Sequence, residues 1–142
     1  EDVVDHAATL AGLEPEECVT KELNIHGYHT NSDRFGRLAS YGSDAVEIEA
    51  LWRADPSLKE LVHPELDLTR GEVIWFARQE MARTVDDVLA RRFRGIVLNA
   101  RAATAAAPAV AEILRQELQR DEQWAAEQVA TFTDLAQPYS LT

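Results

Sequence analysis

Of the seven charged side chains between positions 78 and 92, six carry the argument: Arg78, Glu80, Arg83, Asp87, Arg91 and Arg92. Carboxylates and guanidinium groups this close can neutralise one another, bind an anion, or hold two structural pieces in register. A guanidinium can also donate to several carbonyls at once, which suits a buried or interface position. Asp87 and Arg91 stand four residues apart, where an exposed helical ion pair contributes about 0.2–0.5 kcal/mol. The sharp reading is a charge network that orients this chain against another part of a protein. The plain reading is helix caps and surface pairs. The plain reading suits Asp86, and Arg91 and Arg92 fit either.

Other reactive groups do not assemble into a known centre. His26 and His29 are three residues apart in a segment that also contains Cys18, but zinc needs a fourth ligand and no spacing supplies one. No metal site is expected, and the plainer reading is a tight turn at Gly27 with rings packed on a surface. The Glu-x-x-His pairs of di-iron bundles are missing. So are the strained serine turn of hydrolases and the glycine-rich loops that cradle a nucleotide phosphate. No catalytic or cofactor-binding residue can therefore be assigned within the chain.

The elements that would position these groups read as helices. Val3, Val4, Ala7, Ala8, Leu10 and Ala11 recur at helical spacing ahead of Gly12. Residues 13–32 have no helical period and are punctuated by Pro15, Asn24, Gly27 and Asn31, with Leu23 and Ile25 alternating like a short extended piece. A connection this long is functional or pinned against a neighbour. A short helix is predicted over 33–41, closed by Gly42. Ser43 would cap the next, which carries Ile48, Leu51 and Trp52 and stops before Pro56. Thr69 would cap a helix with Val73, Ile74, Ala77 and Met81. Thr84 would restart the pattern, with Asp87 three residues on, close to a capping box. Ile96, Val97, Ala100, Ala103, Thr104 and Ala107 extend a stripe to Pro108, which is expected at the first turn of a new helix. Asp121 would cap a last helix through Phe132 and Ala136. The prediction is all-α: a compact bundle of six to seven short helices, with one long irregular loop near the N-terminus, forming a single domain over 1–142. Trp52, Trp75 and Trp124 are expected in core or interface positions.

The net charge of −11 argues against nucleic acid as a partner, because a phosphate backbone would be repelled. It also disfavours a helix-turn-helix reading of Arg91-Arg92-Phe93-Arg94. The acids are uneven: residues 1–22 hold seven acids and one base, whereas residues 70–101 hold seven bases and four acids. The lone Cys18 excludes an intrachain disulfide and is compatible with a reducing compartment. No apolar run approaches the length of a membrane span. The chain starts inside a helical pattern without a methionine, as expected of a fragment of a longer protein.

One stretch carries a resemblance. Glu80-x-Ala82-x-Thr84 leads into Asp87-Val88-Leu89-x-Arg91-Arg92. It is similar to a signature in the C-terminal domain of FAD-dependent glycerol-3-phosphate dehydrogenases and the related α-glycerophosphate oxidases. Further segments run in the same order: Cys18 and Thr20 followed by Leu23 or Ile25 and Gly27, then Arg37-Leu-Ala-x-Tyr-Gly42, His63-Pro64 and Arg70-Gly-Glu-Val73. Phe93 departs from a common threonine. The resemblance implies that the whole enzyme oxidises sn-glycerol 3-phosphate to dihydroxyacetone phosphate. FAD would take the hydride, and electrons would pass to quinone, or to oxygen in the oxidases. It implies a cytoplasmic protein, peripheral on the membrane when full length. This chain would be a non-catalytic accessory domain seated on an N-terminal FAD and substrate domain, and could also contribute to a homodimer. The competing reading is a stand-alone helical interaction module.

Overall fold

The computed structural model describes residues 2–14 and 16–140. Among them there are six α-helices, one π-helical segment and several 3-10 turns. They fall into two compact units, Glu1–Ala45 and Val46–Thr142. The all-α expectation holds. Pairing between extended segments is limited to one isolated antiparallel bridge, Leu61 with Thr69.

The first unit opens with α1 (Asp2–Leu10), which stops at Gly12 in the left-handed region. The next segment is irregular apart from a 3-10 turn at Val19–Lys21, so the extended piece expected at Leu23 and Ile25 is not a strand. Pro15 lies outside the described residues. The helix expected over 33–41 is instead a 3-10 stretch, Ser32–Asp44, broken at Gly36 and Gly42. Both glycines sit near φ 56°, ψ −120°, which side chains with a Cβ avoid. At Gly42 the requirement is absolute, since a Cβ would lie 1.7 Å from the Gly27 carbonyl oxygen. That same oxygen accepts the Ser43 amide at 3.0 Å. The predicted Ser43 cap does not form: its hydroxyl faces the Asp44 carboxylate, and α2 (Ala45–Ala54) continues directly from the 3-10 stretch.

The second unit begins within α2 and contains α3 (Arg70–Gln79), the π segment Asp87–Arg92, α4 (Gly95–Leu98), α5 (Ala100–Glu117) and α6 (Glu122–Ala136). α3 starts in a complete capping box: the Glu72 amide donates to the Thr69 hydroxyl and the Thr69 amide donates to the Glu72 carboxylate. Every residue from Gly71 to Ala77 is buried, so α3 is a helix enclosed on all sides. Gly71 is required there, because a Cβ would come within 2.8 Å of Trp52 Nε1.

α5 is the scaffold on which both α3 and α6 pack. Its inward face is largely alanine, with Ala102, Ala103, Ala106 and Ala107 buried ahead of Val110, Ile113 and Leu114. Small side chains let neighbouring helices approach closely. Pro108 overturns the expected helix boundary, because it lies inside α5. It costs the hydrogen bond to the Thr104 carbonyl. The proline itself is exposed, and the buried alanine and aliphatic face continues on either side of it. Asp121 caps α6 through the Trp124 amide at 2.8 Å, as its position predicts.

Candidate functional site

The chain reverses between α3 and the π segment, and this junction gathers most of the charged residues singled out in the sequence. α3 ends with Met81 in the left-handed conformation, and the Ala82 amide reaches back to the Phe76 carbonyl at 2.9 Å. The next turn starts at Thr84. The Asp87 amide donates to the Thr84 hydroxyl at 3.1 Å, and the Asp87 carboxylate accepts the Arg83 and Thr84 amides at 2.9 and 3.1 Å. Thr84 and Asp87 thus cap the turn reciprocally. The Val85 amide donates to Gln128 Oε1 on α6, fixing the junction to the bundle.

Arg92 joins the two sides. Its guanidinium donates to the Glu80 carbonyl from both Nε and Nη2, and to the Asp87 carbonyl from Nη1. It also lies 3.7 Å from the Glu80 carboxylate and 3.9 Å from that of Asp87. The first carbonyl is an orphan acceptor at the end of α3, and the second lies in the first turn of the widened π segment, so one side chain ties the end of α3 to the start of the π segment. Glu80 additionally accepts from Trp75 Nε1 at 3.1 Å. Arg83 turns the other way and donates to the Ala77 and Ala82 carbonyls.

Arg91 differs sharply from its neighbour. It pairs with Asp86 at 2.7 Å and Asp87 at 3.3 Å, but its side chain is 69% exposed against 21% for Arg92. Asp86 is therefore one arm of an ion pair. Arg78 stands apart from the junction and makes a two-pronged pair with Glu117 on α5, at 2.7 and 2.9 Å. The sequence reading did not name Glu117, and a partner 39 residues away leaves no local signal.

Burial opposes ionisation of Asp87, but the Arg83 and Thr84 amides, the Thr84 hydroxyl and the Arg91 charge outweigh it. Its carboxyl is held below the usual aspartate value. A folded pKa below the unfolded one contributes stability above the unfolded value, and this is lost as pH falls through the folded value. Urea midpoints followed from about pH 5 to about pH 2 should therefore fall more for the wild type than for Asp87→Asn. Parallel curves would mean the carboxylate is not held in the fold.

The two histidines are engaged within the first unit. His26 Nε2 lies 2.9 Å from the Asp44 carboxylate. His29 accepts the Asn31 amide at 3.0 Å and stacks edge-on against Phe35 at 5.0 Å. Cys18 Sγ lies 2.9 Å from the Thr20 hydroxyl. Among the described residues no group of three or more His, Cys, Asp or Glu converges as metal ligands would.

The junction is internally paired. Its carboxylates are matched by arginines, and its backbone donors are taken by the chain's own side chains. The starts of α3, α5 and α6 are likewise occupied by Thr69 with Glu72, by Asn99 and by Asp121. Those helix ends do not fit a dinucleotide's pyrophosphate, which needs free amides at a helix N-terminus. Among the described residues no helix is long and apolar enough to cross a membrane.

Comparison with known proteins gives two findings. The family model for the C-terminal domain of alpha-glycerophosphate oxidase matches residues 18–125. A probable mitochondrial glycerol-3-phosphate dehydrogenase of Caenorhabditis elegans is 30% identical over 159 residues, covering 95% of this chain and 22% of that protein. The chain thus spans about a fifth of that relative's length. No solved structure matches.

Proposed function

Because the chain belongs to the family of the C-terminal domain of alpha-glycerophosphate oxidase, we propose that residues 1–142 act as one accessory domain of a flavoenzyme. That enzyme would oxidise sn-glycerol 3-phosphate to dihydroxyacetone phosphate. The observation that carries this reading is the family match across residues 18–125, which takes in the whole α3-to-π junction. FAD supplies the hydride acceptor and is held by the N-terminal part of the polypeptide. Quinone receives the electrons, and the full-length enzyme is a cytoplasmic protein held peripherally on the cytoplasmic membrane. The role of the present residues is mechanical. Arg92, Asp87 and Glu80 fix the angle between α3 and the π segment, so this domain offers a rigid body to the flavin part.

The test is the polypeptide encoded by the native gene. It should purify with FAD, and its flavin absorbance should bleach when glycerol 3-phosphate is added without oxygen. Re-oxidation by a quinone analogue faster than by oxygen would support the acceptor. A flavin-free product would favour the stand-alone interaction module and defeat the enzymatic reading.

A further inference from the structure

Among residues 2–14, 16–20 and 22–28 none is buried. The segment nevertheless carries large apolar side chains, and Val3, Val4, Leu10, Leu13, Leu23 and Ile25 are all more than half exposed. Val3, Ala7 and Leu10 share one stripe of α1, so this helix has an apolar face with nothing on it. Further along, Cys18, Val19 and Leu23 line an open groove of about 460 Å³. The second unit is built the opposite way, with its aliphatic groups buried along α3 and α5. Ordering a segment costs conformational entropy, and here polar contacts such as His26 with Asp44 offset it without the help of apolar burial. Exposed apolar surface on this scale marks a contact with another body.

The charges indicate which body. Asp2, Asp5, Glu14, Glu16, Glu17 and Glu22 are exposed around the apolar groups. A second copy would bring two such acidic rims together in a chain of net charge −11. The C. elegans relative, by contrast, has more than three quarters of its length outside the matched region. We propose that residues 2–28 are the surface on which the N-terminal part of the same polypeptide seats, through an apolar patch rimmed by basic side chains. This rests on the reading that the chain is one part of a longer flavoenzyme.

Full-length Leu10→Cys, Leu23→Cys and Ile25→Cys variants, each labelled with a maleimide and read by peptide mass spectrometry, test the proposal. Arg120→Cys, at an exposed site, is the reference. The three should react at least about a hundredfold more slowly than the reference, as expected for covered side chains. In the unmodified protein, amide exchange across 22–27 should be slowed by a similar factor, a measurement that does not depend on any variant folding. Equal labelling rates and unprotected amides in a flavin-loaded protein would overturn the docking surface and leave the flavoenzyme reading standing. Protection in a polypeptide without flavin would do the reverse. Protection that disappears on dilution would assign the surface to a second copy and overturn the proposal.

Discussion

Arg92→Ala is expected to lower stability by about 3 kcal/mol, the low end for breaking a buried charged network, because the side chain keeps some solvent access. The substitution strips the Glu80 carbonyl of both its guanidinium donors and the Asp87 carbonyl of one, and removes the nearby positive charge from the Glu80 carboxylate, while Asp87 keeps Arg91. For a chain of this size the loss corresponds to a melting temperature lower by about 10 °C. Arg92→Lys should recover only part of it, since an ammonium cannot span two carbonyls as a planar fork does. Arg91→Ala should cost less than about 1 kcal/mol, because its pairs are solvent-screened. Thermal melts of the three variants check the ordering. Equal losses for Arg91→Ala and Arg92→Ala would show that Arg92 is not the staple. In the full-length enzyme, Arg92→Ala should reduce stability or domain seating rather than the hydride step. A folded, flavin-loaded variant whose flavin reduction slows a thousandfold would place the arginine at the active centre instead.

Phe132→Ala should cost about 3–5 kcal/mol through lost burial and the cavity left behind. Phe132 is 1% exposed and is the largest fully buried side chain among the described residues. It lies on α6, which makes its main packing contact with α5, and it borders the cleft that includes Asp86 and Arg91. Its loss should therefore loosen α6 and also release the Gln128 bond to the Val85 amide at the junction. Leu135→Ala is the control. It lies one turn on but is 41% exposed, so the same chemistry should cost much less. Urea titrations of both variants give the comparison. A loss below about 1 kcal/mol for Phe132→Ala would mean that α6 is not part of the cooperative core.

What the sequence determined were features that close within a few residues. Thr69, Thr84 with Asp87, and Asp121 were legible because a cap needs only a short polar side chain three residues before an amide it can reach. The all-α class followed from apolar periodicity, and the family from motif order. The sequence misplaced Pro108, because proline opens helices more often than it interrupts them, and only the packing of the alanine face makes the interruption tolerable. It read 33–41 as an ordinary helix, although the close approach of Gly42 to the Gly27 carbonyl requires a broken 3-10 path. The charged set was visible, but its division was not. Adjacent arginines look alike in sequence. The π turn directs Arg92 back over the end of α3 and leaves Arg91 in solvent, while Arg78 finds Glu117 only because α3 packs on α5. Each of those outcomes depends on where a distant backbone lies, and that is set by tertiary packing.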